Sequence, residues 1–579
     1  MKFSELAKYF DELEQTASRN ELVRILSELY KKVSADEIQP VTYLIQGRVA
    51  PFFEPTEIGM GEKLVIAAIA RAFRVEKEEV AKEFSKLGDL GLVAEELSKA
   101  HREKRKDLSV LEVFKALETV AKTMGEGTVE KKVSGLADLV EHLDPISAKH
   151  LVRIPSGNLR LGIGDPTVLD ALSFAKKGDK SLRPILEAAY NRSSDLGLIA
   201  HTFWSKGEKA VEQIKIEVGK PVRPELAERL PNPEAVIKKL GYSGVQPKYD
   251  GFRVQIHKTG DEVRIYSRNL ENMSLMFPEL TTATRKLKDK ELILDGEAIA
   301  YNPDSEEYLP FQETTQRRRK YGIEELAAKL PLRAFVFDIL YRNGKDLTPE
   351  PYEKRLAIVD EVIKGSETLL PAPLTKTDSA EELTKELLDN ISKGLEGVVV
   401  KRLEAPYTAG ARNFNWVKLK RHTSGELTDT VDLVLLGYYY GRGKRTAFGA
   451  GALLAGVYDK DKDQFVTITK IGTGLTDEEW REVHARGDKL MVKEKPARVN
   501  SILKPDVWIK PEVVVEVMAD EITRSPVHTA GKFDDNPGYA LRFPRIVSFR
   551  SADKRAEDAT TVKEIMEMFH QQGQHKVAP

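Results

Sequence analysis

Hydrophobic positions in the first third of the chain recur at helical spacing. Leu22, Ile25, Leu26, Leu29 and Tyr30 fall on one helical face. Ser109 with Glu112 forms a capping-box pattern ahead of Val113, Leu117 and Val120, and that helix is expected to end near Gly125. Similar patterns continue to about residue 214. The segment Gly219-Lys220-Pro221-Val222-Arg223-Pro224 then interrupts them, because each proline disfavours helix in the residue before it. A domain boundary is expected there.

Beyond it the apolar positions form short β-type runs: Phe252–Lys258, Val263–Ser267, Leu292–Ala300, Ala334–Leu340 and Gly397–Lys401. Helical stretches such as Glu324–Leu330 and Ala380–Ser392 lie between them, so a mixed α/β domain is expected. From about Ser424 the runs Val431–Tyr440, Leu453–Tyr458, Phe465–Ile471 and Val513–Met518 suit a small β-barrel, with a capped helix starting near Thr476 and Glu479. Gln571–Pro579 reads as a frayed polar tail. The expected fold is multidomain: all-α over 1–215, mixed α/β over 216–423, and a C-terminal β-barrel over 424–579.

A length of 579 residues suits several domains. Composition narrows the chemistry. Lys+Arg 90 and Asp+Glu 91 nearly cancel, so any surface that attracts nucleic acid must be local. There is no cysteine, which excludes a disulfide framework, thiolate catalysis and thiolate-bound zinc. Neither an apolar signal core nor a stretch of ~20 apolar residues is present. A cytoplasmic, nucleoid-associated protein with no membrane partner is expected.

Lys248-Tyr249-Asp250-Gly251-Phe252-Arg253 sits where one β-type run ends and another begins, which would hold Lys248 rigidly at a cleft rim. A lysine is protonated at neutral pH, so nucleophilic use requires cationic neighbours, burial or a metal to lower its pKa, and Arg253 is expected to be such a neighbour. A lysine in a surface β-turn would show the same short pattern. Further groups follow in order: Arg268 in Ser267-Arg268-Asn269, Glu297 in Asp295-Gly296-Glu297, Phe337-Asp338, Glu396 in Glu396–Lys401, and Lys418 with Lys420 in Trp416–Lys420. Lys418 and Lys420 are two apart on a strand and so share a face, as converging phosphate charge requires. Taken singly, each reads as a solvated carboxylate, a core aromatic or a charged strand face.

As an ordered set these segments resemble the six motifs of the covalent nucleotidyltransferase superfamily, which includes DNA ligases, RNA ligases and messenger-RNA capping enzymes. Tyr43-Leu44-Ile45-Gln46-Gly47-Arg48 and Gly157–Asp165 resemble the helical DNA-binding domain of archaeal and eukaryotic replicative ATP-dependent ligases. The resemblance implies that 1–215 binds DNA, that 216–423 is the nucleotidyltransferase domain, and that 424–579 is an OB-fold. It implies that Lys248 attacks the α-phosphate of ATP and takes AMP, and that Arg253 and Glu297 hold the ribose. Phe337 would stack on adenine, Glu396 with Glu297 would place the divalent metal, Lys418 and Lys420 would contact the α-phosphate, and Arg268 would meet ribose or the nick 5′-phosphate. Arg412 would be a further nucleotide contact, and Arg542 and Lys554 would orient pyrophosphate. Magnesium is the expected ion, with manganese the alternative, because carboxylate and phosphate oxygens are hard ligands.

Two departures from the family pattern stand out. Gln246 occupies the place of a glutamate that accepts from the adenine amino group, and Arg550-Ser551-Ala552-Asp553-Lys554 is one residue longer than the family's C-terminal motif. The implied substrate is nicked duplex DNA, met by local cations: Arg317, Arg318, Arg319 and Lys320, His101–Lys106, and the aromatic and glycine-rich Tyr438–Gly443. A monomer serving DNA replication, repair and recombination is expected. A sliding-clamp partner is compatible with the resemblance, but the chain lacks a glutamine-plus-paired-aromatic clamp peptide. The alternatives are an RNA ligase or capping enzyme, for which the helical third is not expected, and a DNA-binding scaffold without chemistry. An NAD-dependent ligase fits less well, since that family carries a four-cysteine zinc module.

Overall fold

The computed structural model describes the chain except for residues 17, 101–104, 158, 304–307, 310–313, 319–321, 394, 421–429, 441–449, 473–474, 476, 520, 534–535, 551–553 and 575–579. From Phe3 to Glu212 its regular elements are helices. Leu22, Ile25, Leu26, Leu29 and Tyr30 are buried on the helix Arg19–Lys32, whose Ser18 hydroxyl accepts from the Glu21 N–H. Ser109 and Glu112 make both capping-box hydrogen bonds, and their helix stops at Lys122, just short of the expected end. These helices share one core that includes Phe3, Phe10, Leu26, Leu117 and Val152. Leu44 and Ile45 belong to it and Tyr43 is also buried, so part of that string is structural.

The middle region holds strands β1 (Leu226–Arg229), β2 (Ser243–Lys248), β3 (Phe252–Thr259), β4 (Glu262–Ser267), β5 (Glu291–Ala300), β6 (Leu332–Arg342), β7 (Lys345–Asp346), β8 (Leu369–Pro371), β9 (Thr375–Thr377), β10 (Gly397–Arg402) and β11 (Arg412–Lys420). They form two sheets, ordered β1-β11-β10-β2-β9 and β4-β3-β5-β6-β7, with β8 beside β6. The short edge strands β1 and β9 have no apolar alternation and gave no sequence signal.

Two motif glycines have steric reasons. A Cβ on Gly251 would stand 2.3 Å from the Ala298 carbonyl oxygen. At Gly397 (φ +146°) a Cβ would stand 2.1 Å from the Leu419 carbonyl oxygen. Backbone cannot yield there as a side chain could, so both positions exclude larger residues.

The C-terminal region adds β12 (Val431–Tyr440), β13 (Ala450–Asp459), β14 (Gln464–Ile471), β15 (Met491–Val492), β16 (Val499–Asn500), β17 (Val507–Ile509), β18 (Val514–Met518), β19 (Glu521–Ser525), β20 (Gly538–Arg542) and β21 (Arg545–Phe549). The main sheet runs β15-β17-β12-β13-β14-β16, with β18 joining β12 to β21. Its end strands β15 and β16 do not pair with each other among the described residues, so the element is a half-barrel. The expected capped helix occupies Asp477–Lys489, while Thr476 lies outside the described residues. Gln571–Gln574 continue the helix Val562–Gln574, where a frayed tail was expected, and 575–579 lie outside the described residues.

Candidate nucleotide site

Strand register brings the scattered motifs together. In the first sheet Lys248 is paired with Gly397 and Gly397 with Lys420, while Gln246 is paired with Val399 and Val399 with Lys418. Because side chains alternate along each strand, these two rows and the row Lys401–Trp416 present one face. In the second sheet Arg253 lies opposite Glu297, and Glu297 opposite Phe335. Phe337, two residues along β6, is half-buried. The two sheets enclose a cavity of about 600 Å³ lined by Lys248, Gln246, Arg253, Arg268, Glu297, Phe337, Glu396, Arg412, Lys418 and Lys420. The C-terminal region closes it with Asp432, Glu516, Arg550 and Lys554.

Lys248 is ion-paired with Glu396, whose other oxygen is 2.5 Å from Lys420 Nζ. Burial alone would lower the Lys248 pKa, but Glu396, with Asp250 and Glu297, holds it above the ordinary lysine value. Burial likewise works to raise Glu396, and Lys248, Lys420 and Arg550 outweigh it and hold that carboxyl well below its usual range. Arg253 was expected to depress Lys248, and the structure corrects this. Its guanidinium is neutralised by Asp295 through contacts of 3.0 and 2.7 Å. Glu297 makes no such pair among the described residues, and burial pushes its pKa up to about 7.

A second charge cluster sits under the half-barrel. Asp432 contacts Lys554 and lies 2.7 Å from Arg550 Nε, while Arg550 reaches Glu516 at 2.8 Å. Burial acts to raise Asp432, and Lys554, Arg550 and Arg229 hold it well below a normal carboxyl. Burial takes Lys554 down to about 7. Lys418 is lowered by burial first, then by Arg229 and Lys554. Arg412 is ion-paired with Glu564 on the last helix, and Arg268 Nε is 3.6 Å from Asp558.

Several expected residues lie elsewhere. Arg542 is exposed on β20 and does not line the cavity. Arg317 is not a surface cation: it is 2% exposed, salt-bridged to Glu279 at 2.5 Å, and donates to the Leu330 and Met276 carbonyls. Breaking a buried pair leaves its partner uncompensated. Arg317→Ala is therefore expected to cost about 3 kcal/mol of stability in denaturant unfolding, with no change in the salt dependence of duplex binding. Arg318 is paired with Glu271 at 2.5 Å, and Arg319 and Lys320 lie outside the described residues. So do His101–Lys104 and Gly441–Gly443, whereas Tyr438 is buried and Tyr440 exposed.

Sequence reasoning missed Asp432, Glu516 and Lys401 as site groups. Asp432 and Glu516 are single charges inside β-branched or leucine-rich runs and Lys401 ends the run Val398–Val400, positions where a charge must find partners or a ligand. Outside the cavity, Asp11, Glu14 and His150 lie close enough to hold a metal ion. Lys149, at 2.6 and 2.8 Å from their carboxylates, already supplies the cation. Among the described residues no helix is long and apolar enough to cross a membrane.

Three family models match in chain order: the DNA ligase N terminus over residues 2–173, the ATP-dependent DNA ligase domain over 224–420, and the ATP-dependent DNA ligase C-terminal region over 446–554. A probable DNA ligase of Dictyoglomus turgidum is 51% identical over 578 residues, covering 100% of this chain and 99% of the relative. The DNA ligase of Sulfolobus acidocaldarius is 40% identical, with 100% and 99% covered, and that of Staphylothermus marinus 41%, with 99% of each. The chain belongs to the ATP-dependent DNA ligase family.

Proposed function

We propose that the chain seals nicks in duplex DNA through a lysyl-AMP intermediate on Lys248. What carries the reading is one cavity that joins Lys248, Glu396, Lys418 and Lys420 to the half-buried ring of Phe337. Lys248 Nζ gives up a proton and bonds to the α-phosphorus of ATP, and the bond to pyrophosphate breaks. The nick 5′-phosphate then takes AMP from Lys248, and the adjacent 3′-hydroxyl displaces AMP to form the phosphodiester. Little covalent work falls to the protein, so positioning and neutralisation by Lys418, Lys420, Arg550 and Lys554 supply most of the rate. Arg253 and Glu297 serve the ribose, and Arg268 and Arg412 meet phosphate once released from Asp558 and Glu564.

A divalent cation suits this donor set. Glu297 is half-buried with no cation paired to it among the described residues, its pKa is raised to about 7, and Glu396 lines the same cavity. Magnesium held by these two would neutralise phosphate and draw Glu396 away from Lys248. Because Glu297 is raised, it is ionised only above about pH 7 and loses metal affinity below it. The magnesium needed for half-maximal adenylylation is expected to fall as pH rises from 6 to 8, and Glu297→Gln should flatten that dependence.

The half-barrel reads as the family's OB-fold, and the boundaries near residues 215 and 423 as those of the DNA-binding, adenylation and OB-fold domains. One chain supplies every group of the cavity, which supports a monomer. The test is a 5′-labelled nicked duplex with ATP and magnesium: ligated product is expected, and its absence at any protein concentration would refute the assignment.

A further inference from the structure

Gln246 lies on β2 two residues before Lys248, is 2% exposed, and lines the cavity with Phe337, Val399 and Lys401. Its Nε2 donates to the Ala372 carbonyl at 3.2 Å, and its Oε1 accepts from the Tyr352 hydroxyl at 2.8 Å. A carbonyl can only accept, so Ala372 fixes which end of the amide is nitrogen. Tyr352, fully buried, shares its proton with the Phe337 carbonyl at 3.0 Å and accepts from Lys401 Nζ at 3.2 Å. Held this way, the amide keeps one N–H and one lone pair uncommitted among the described contacts.

Lys401 adds a second donor at the same wall. It is buried, 4.3 Å from the centre of the Phe337 ring and 4.0 Å from that of Trp416, with no carboxylate in salt-bridge range among the described residues. Burial lowers its pKa to about 7, and it can donate in either protonation state.

These groups decide which purine edge is accepted. A 6-aminopurine offers a donor at position 6 and an acceptor at N1, whereas a 6-oxopurine offers an acceptor at 6 and a donor at N1. A glutamate at 246, the usual residue of the family, can only accept. It pairs with the amino group of the first, whereas of the second it can take only the N1–H and stands opposed to the oxo group. The oriented amide, with one free donor and one free acceptor beside Lys401, satisfies either edge.

We infer that the enzyme takes the 6-oxopurine triphosphate of inosine as a nucleotide donor alongside ATP. The inference rests on the reading that this cavity delivers a nucleotide to Lys248. The step is balanced as for ATP: Lys248 Nζ loses a proton, the N–P bond forms at the α-phosphorus, and the bond to pyrophosphate breaks.

The test compares covalent labelling of the whole protein by α-labelled ATP and ITP with magnesium, since ITP differs from ATP only at the 6 and N1 positions. ITP is expected to label within about tenfold of ATP, and Gln246→Glu to lower the ITP-to-ATP ratio about ten- to a hundredfold, the cost of leaving a buried acceptor opposed. Labelling of the wild type by ATP with none by ITP overturns the inference and leaves the ligase reading intact. No labelling by either overturns the reading beneath it. A ratio unmoved by Gln246→Glu removes the amide from the explanation. If that variant labels with neither nucleotide, the wild-type comparison decides alone.

Discussion

Lys248→Ala is expected to take no label from ATP and to seal no nick that bears a plain 5′-phosphate. A loss of at least about 10⁴-fold is anticipated, because the covalent step has no alternative nucleophile. Lys420 is the obvious rival, being in contact with the same carboxylate, Glu396. Lys248 is preferred because it ends β2 beside Gly251, whose missing Cβ allows the Ala298 backbone to approach and fixes the lysine at the cavity rim. In the closed arrangement Lys248 is held charged by Glu396 and cannot attack. The ion pair is therefore a resting state, which must open before the Lys248 proton is lost. Since the lysine bond is spent once AMP has reached DNA, the variant should still join a nick that already carries 5′-AMP. Appreciable protein–AMP in Lys248→Ala would assign the nucleophile elsewhere, and failure on the adenylylated nick would point to a folding defect.

What the sequence made legible follows strand ends and local chemistry. Lys248, Glu297, Phe337, Lys418 and Lys420 lie on strands and Glu396 directly precedes one, and residues two apart on a strand must share a face. That such faces meet in one cavity depends on register, on Gly397 standing between Lys248 and Lys420, which no short-range pattern encodes. Partner choice was equally hidden. Arg253 has the spacing of a lysine neighbour, yet Asp295 on the adjacent strand β5 takes its charge. Arg317 belongs to a basic run and reads as surface, but Glu279, 38 residues upstream, draws it inside. Asp432 and Glu516 come from the C-terminal region, beyond the end of the domain that holds Lys248, and they line the same cavity only because the half-barrel sits over it.

That closure leads to the second large effect. Arg550→Ala and Lys554→Ala are each expected to reduce formation of protein–AMP by about 10²–10³-fold, the usual cost of removing one group that stabilises developing charge. Arg550 bridges Asp432 and Glu516 and stands 4.0 Å from Glu396, and Lys554 shares Asp432, so both cations hang over the cavity on acids of their own region. A triphosphate entering below them competes with those carboxylates. The β- and γ-phosphates are assigned to Arg550 and Lys554 because Lys418 and Lys420, on β11, are given the α-phosphate, although Lys420 Nζ also comes within 3.6 Å of Glu516 on the half-barrel. The one-residue lengthening between Arg550 and Lys554 does not keep either from the cavity, since both line it. The separating measurement is the adenylylated nick, which has already lost pyrophosphate. Both variants should seal it within a few-fold of wild type, while Lys420→Ala, which removes a contact to the α-phosphate itself, should fail at both stages. Equal losses at both stages in Arg550→Ala would mean that the half-barrel stays over the cavity through sealing, and that its cations serve the α-phosphate rather than the leaving group.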